Sequence, residues 1–146
     1  MAVPETFTTL GQKLLTLADG LSGALIGLVF YGLWAVWANH DHGLPIALRA
    51  GMIQGGLSFV VTLTGTQLMK TLYRMPGPPW WRLLRACGGA LLAIYGLIVG
   101  AHLWNGTPNI LLTLAPGLPI TIAFCLSFCW GLSRYAPRPP SPRTFA

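Results

Sequence analysis

Four apolar stretches, Leu21–Ala38, Ile46–Leu68, Ala86–Leu103 and Ile110–Leu132, alternate with short gaps that hold nearly all of the charge. A helix needs roughly 20 apolar residues to cross about 30 Å of hydrocarbon. The pattern therefore predicts an all-α polytopic membrane protein, a bundle of four transmembrane helices with spans at about 21–38, 46–68, 86–103 and 110–132. Ahead of the first span, Phe7, Leu10, Leu14 and Leu17 recur at helical spacing among Thr8, Thr9, Gln12 and Lys13. That pattern fits a short amphipathic interfacial helix or an extension of span 1, with Asp19-Gly20 expected to separate the two. The organisation expected is a cytoplasmic or interfacial segment over 1–18, a transmembrane domain over 19–134 and a basic, Pro-rich cytoplasmic tail over 135–146.

Glycine and proline carry a different meaning inside apolar spans than in a polar chain. Gly23-x-x-x-Gly27, Gly51-x-x-x-Gly55, Gly96-x-x-x-Gly100 and Ser127-x-x-x-Gly131 put small residues on one face of each span. Such strips allow close backbone approach, within a bundle or against a partner. In span 4, Pro116-Gly117-Leu118-Pro119 predicts a kink or an unwound turn, because proline lacks a donor and clashes with the preceding turn. Gly106-Thr107-Pro108 reads as a turn. A faint parallel repeat relates Gly23–Ile26 and Tyr31-Gly32 to Gly89–Leu92 and Tyr95-Gly96.

Charge sets the expected topology. Lys13, Lys70, Arg74, Arg82, Arg85, Arg134, Arg138 and Arg143 fall on one side of the four spans, and Arg49 alone falls on the other. The positive-inside rule puts both termini in the cytoplasm, consistent with a bacterial inner (plasma) membrane. Trp34, Trp37 and Trp104 lie near the outer boundary and Trp80, Trp81 and Trp130 near the inner one, as interfacial indoles do. The basic residues flank spans instead of forming one patch, so anionic lipid headgroups account for the net charge of +6 and no nucleic-acid partner is expected. A basic region at the N-terminus is lacking, so span 1 is expected to be retained as an anchor.

Polar residues within or beside the spans supply the candidate sites. Gln54, Ser58, Thr62 and Thr66 recur every four residues on span 2. In lipid such a stripe turns inward, either as structural glue between helices or as the wall of a ligand groove. Arg49 lies just inside span 2 on the outer side, where it can snorkel, pair with Asp41 or hold an anion. Arg49, Gln54, Ser58, Thr62, Pro116 and Pro119 are thus the candidate ligand-binding set. His40, Asp41, His42 and His102 form a candidate metal set if the two outer loops meet, against a reading as solvated histidines. Cys87, Cys125 and Cys129 fall near the expected cytoplasmic ends of spans 3 and 4, and are expected to stay buried and reduced.

The only acids are Glu5, Asp19 and Asp41, none in mid-membrane, and no motif for catalysis or cofactor binding occurs. A proton-driven antiporter usually needs a buried titratable group, so a non-catalytic protein without a cofactor is expected. The leading expectation is an accessory or assembly subunit of a larger membrane complex. The alternative is a homo-oligomeric carrier or flippase-like protein for an anionic lipid, a lipid-linked phosphate or a small solute. Membrane lipids and either a membrane-protein partner or a second copy of the chain are the partners implied.

Overall fold

A computed structural model describes the backbone of residues 5–135 and the side chains of residues 20–131 and 134. The fold is all-α: α1 (Glu5–Ala38), a 3-10 turn (His40–His42), α2 (Leu44–Arg74), α3 (Pro79–Trp104), α4 (Ile110–Leu114) and α5 (Gly117–Tyr135). Gly20–Ala38 of α1, α2 and α3 are each long and apolar enough to cross a membrane, and α5 adds a shorter apolar helix. Three such helices mark an integral membrane protein. The apolar face expected over residues 5–18 and the tail over 135–146 lie outside the described side chains. Backbone bonding runs unbroken through Asp19-Gly20, so no separate interfacial helix forms. Glycine within a helix costs only about 1 kcal/mol, which the flanking turns absorb.

The closest helix crossing is α1 on α2, and glycine makes it possible. A Cβ added at Gly55 would lie 2.6 Å from the Leu28 carbonyl oxygen, and one at Gly51 2.8 Å from that of Gly32. A Cβ added at Gly32 would lie 3.2 Å from the Gly51 carbonyl oxygen. The small strip of span 2 therefore packs as expected, but its partner is Gly32; Gly23 and Gly27 face Thr62. The strips of the other spans are different. Gly96, Gly100 and Gly131 have open space around them.

The turn between α2 and α3 is held by arginines. The Arg85 guanidinium donates to the carbonyls of Met75 and Pro76, 2.8 Å each, and Arg82 Nε donates to Tyr73 O at 2.8 Å while lying 4.4 Å above the Tyr73 ring. These carbonyls are at or just past the α2 C-terminus, where no backbone donor remains and the helix dipole favours cations. Residues of the basic cluster thus also serve as helix caps. Gly77 permits the turn with a φ of 146°.

Within α3, Arg85–Gly89 widens into a π turn, an insertion often found at functional places. It carries Cys87, which the structure pairs with Cys129 of α5 in a disulfide, Cα–Cα 6.4 Å. This corrects the expectation of three unpaired thiols; only Cys125 is free among them. One-turn spacing of Cys125 and Cys129 gave no hint that a residue 42 positions away would be the neighbour. Peptide mapping without reductant should recover the Cys87 and Cys129 peptides joined, with Cys125 alkylated only after denaturation. Full alkylation of all three before denaturation would refute the pairing. Disulfides persist on oxidising faces of a membrane, so the outcome also bears on which end of the bundle faces the cytoplasm.

The last apolar stretch is split where the prolines predict. Pro116 has no N–H to offer the Leu112 carbonyl four residues back. That oxygen instead accepts from the Trp34 indole at 2.8 Å and from the Ala115 amide at 3.3 Å. The chain turns at 115–116, and α5 begins at Gly117. The break explains why the stretch gives one short apolar helix after a single turn, α4.

Candidate functional site: an intramembrane cavity and its outer polar brace

Two buried polar networks close the end of the bundle where α1 and α3 finish, the end that the charge pattern leads one to expect on the outer side. In the first, α3 ends in a Schellman turn: the Thr107 amide donates to His102 O and the Gly106 amide to Leu103 O, with Gly106 at φ 65°. The turn folds Thr107 back over its own helix, so its hydroxyl meets His102 Nδ1 at 2.9 Å. The other ring nitrogen, Nε2, donates to Gln54 Oε1 of α2 at 2.9 Å. His102 has 0% of its surface exposed and Gln54 3%. In the second network, Asn39 at the end of α1 donates to Ala35 O and Thr113 Oγ1, and its Oδ1 accepts from the Asn109 amide. Asn109 in turn donates to Ala38 O and to His42 Nε2. The first network ties the C-terminal end of α3 to α2, and the second ties that of α1 to the start of α4.

Below Gln54 lies a cavity of ≈ 220 Å³ between α2, α3 and α5, with Tyr31 of α1 on its border. Gln54, Ser58, Thr62 and Thr66 form one wall. Val61, Ile94, Ile98, Leu114, Ile120 and Phe124 contribute the apolar surface. The cavity exists because α5 packs along α3 and makes few close approaches to α1 or α2. Tyr31 and Tyr95, the equivalent tyrosines of the faint repeat, both reach toward Gly117: a Cβ there would lie 3.5 Å from Tyr31 Cε1 and 3.7 Å from the Tyr95 hydroxyl. Its inner end is closed by a packed cluster of Met69, Ala86, Ala90, Cys125 and Cys129. Ile120, Phe124 and Thr62 on its border are also exposed on the molecular surface, so the cavity communicates with the lipid-facing side.

The candidate ligand set divides. Gln54, Ser58 and Thr62 line the cavity together. The Thr62 hydroxyl also donates to Ser58 O at 2.7 Å, a local bond that satisfies it inside its own helix. Pro116 and Pro119 do not line the cavity, although Leu114 and Gly117 beside them do; the prolines shape its border by breaking the helix. Arg49 is elsewhere. It is exposed, and its guanidinium donates to the Asn105 carbonyl that caps the end of α3. Arg49→Gln should therefore leave cavity binding unchanged while loosening the outer turn slightly, by well under ~1 kcal/mol as an exposed bond does. Ligand loss in Arg49→Gln, read by native mass spectrometry, would put the arginine back in the site.

The four candidate metal ligands are not brought together, and no group of three His, Cys, Asp or Glu able to hold a metal exists among the described residues. The reason is that the rings are already committed. His102 is buried with both nitrogens bonded, His42 Nε2 accepts from Asn109, and His40 donates to Trp37 O and contacts Asp41 at 2.9 Å. Asn39, Thr107, Asn109 and Thr113 escaped the sequence reading. Only the turn had a usable signal, since glycine past a helix end followed closely by proline marks this kind of cap.

No protein-family model matches this sequence, and neither the curated proteins nor the solved structures contain a similar chain. What the chain does must therefore be argued from its own residues.

Proposed function

We propose that this chain is a non-catalytic, membrane-embedded binding protein of the carrier type, holding a small lipid-like molecule in the cavity beneath Gln54. The observation that carries the reading is that the polar stripe of α2 faces open volume. Gln54 bonds to His102 and Thr62 to its own helix, but a stripe serving only as glue would not border open volume from Gln54 to Thr66. The volume lies below the roughly 300–1,000 Å³ of pockets for drug-sized ligands, which fits a slender occupant. A charged lipid is disfavoured: none of the lining residues carries a charge, and Arg49, the reason to expect an anion, is committed at the outer turn.

In this reading the chain crosses the membrane four times, α4 and α5 together making the last crossing. The positive-inside rule makes the end that carries Lys70, Arg74, Arg82, Arg85 and Arg134 the cytoplasmic one; a Cys87–Cys129 bond at that end argues for the opposite orientation, and the peptide mapping above decides between them. Native mass spectrometry of the protein released from native membranes should show an added small mass. Gly65→Leu, which fills the cavity wall beside Ile94, should lose it. Bare protein in the wild type, or equal retention in Gly65→Leu, would sink the proposal.

A role beside a larger membrane complex is supported by a separate observation. A Cβ added at Gly96, Gly100 or Gly131 would meet nothing within 4 Å among the described residues, and small residues on a lipid-exposed face suit helix docking. Gentle purification should then recover a stoichiometric partner. A clean monomer that retains its ligand would reject this role and leave the binding role intact.

A further inference from the structure

Gln54 makes the cavity selective. Its Oε1 is held by the His102 ring. Its amide nitrogen makes no hydrogen bond with the described residues, yet it is not sealed away as a buried unsatisfied atom; among the described side chains only Arg85 Nε is. Because Gln54 is 97% buried and lines the cavity, the cavity is the space in which its free N–H₂ can meet an acceptor. Such a group in an apolar setting is costly until an acceptor meets it. With Gln54 Oε1 facing His102 Nε2, that nitrogen carries the ring proton and Nδ1 accepts from the Thr107 hydroxyl, which leaves the amide nitrogen as the unbonded end of the carboxamide. His102 is thus a positioning residue that makes Gln54 a donor.

The shape of the cavity limits what carries the acceptor. Its α2 wall runs from Gln54 to Met69, a distance of about 22 Å at 1.5 Å per residue. A volume of ≈ 220 Å³ is too small for a two-chain phospholipid; it holds part of one chain, and the opening beside Ile120 and Phe124 lets the remainder extend toward lipid. From Gln54 inward, Ile98, Ile94, Ile120 and Phe124 face the uncharged hydroxyl residues Ser58, Thr62 and Thr66 of α2. No lysine, arginine or histidine lines it, so an ionised head would enter without a counter-charge, at a cost of several kcal/mol.

Building on the binding role above, we infer that the cavity takes a single-chain lipid with an uncharged acceptor head, such as a long-chain alcohol, aldehyde or ester, its oxygen on the Gln54 amide and its chain pointing toward the Met69 end.

The test uses full-length protein in phospholipid nanodiscs and 1-hexadecanol bearing a mid-chain diazirine. On irradiation the probe should label peptides of α2 and α5 that line the cavity. In wild-type protein, unlabelled 1-hexadecanol should compete about ten-fold better than hexadecane, the factor one neutral hydrogen bond supplies. Hexadecanoate at neutral pH should compete poorly. Gln54→Leu should erase the preference for the alcohol over hexadecane, and Gly65→Leu should erase labelling altogether. Equal competition by alcohol, alkane and carboxylate, with cavity labelling intact, would overturn the selectivity and spare the binding role. No cavity labelling in well-folded wild type would overturn both. The wild-type competition stands even if Gln54→Leu fails to fold.

Discussion

Gly55→Val is expected to be the most damaging single substitution at the α1–α2 crossing. The new Cβ would be placed 2.6 Å from the Leu28 carbonyl oxygen and 3.3 Å from Gly32 Cα. Both obstacles are backbone, so no rotamer change relieves them; α1 and α2 must move apart. Overpacking typically costs 1–3 kcal/mol and occasionally more, and here the loss extends along the crossing, because separation at Gly55 also opens the contact of Gly51 with Gly32. Association of helices in lipid depends on such close dispersion contacts, since the hydrophobic drive between them is missing. A loss of about 3 kcal/mol is expected, seen as a lower midpoint in thermal or detergent-titration unfolding. Gly96→Val is the matched control: it meets nothing within 4 Å and should change stability by less than ~1 kcal/mol. Near-equal midpoints for the two variants would show that the α1–α2 crossing is not as close as described.

The contrast between these two glycines shows what a sequence of this kind reveals. Both belong to small-residue strips with the same spacing, and nothing local separates the packed one from the open one. Spans were legible because length and apolarity are local properties, and the broken last span was legible because Pro116 removes a specific donor. Asp19-Gly20 misled because a helix already committed on both sides tolerates one glycine. Long-range pairings were the illegible part. Cys87 meets Cys129 only because the π turn of α3 lies beside α5, and Trp34 finds Leu112 only once Pro116 has freed its carbonyl.

The candidate site was half legible for the same reason. Four-residue spacing put Gln54, Ser58 and Thr62 on one face, and the structure opens that face to a cavity. Arg49 and the outer histidines drew attention by their charge and chemistry, properties that do not encode a partner. Asn39 and Asn109 fall in the gaps beside spans 21–38 and 110–132, yet their carboxamides satisfy backbone groups at the ends of two helices. Buried polar groups in lipid need such partners, so polar residues at span ends are better read as potential caps than as solvated surface.

Loss of the His102 ring should be the most damaging change in the polar brace and the one that best measures it. His102→Leu leaves Gln54 Oε1 and the Thr107 hydroxyl without their partner at a site with 0% exposure for the histidine. An orphaned buried group costs about 1–3 kcal/mol, so a total loss of roughly 2–5 kcal/mol is expected. His102→Gln, which offers a donor and an acceptor on a shorter reach, should recover part of it. The informative variant is the double one. Gln54→Leu with His102→Leu removes both partners, so the penalty for a stranded group is not counted twice, and the pair should be less destabilised than the sum of the singles. Interhelical hydrogen bonds in membranes average a coupling of about 0.6 kcal/mol and reach about 1.7. Complete burial of His102 and its second bond to Thr107 place this pair toward the upper end, about 1.5 kcal/mol. Additive effects in detergent-titration unfolding would mean that Gln54 and His102 do not share a bond. The cavity donor would then have no fixed orientation, and the preference for an uncharged acceptor head would lose its structural basis.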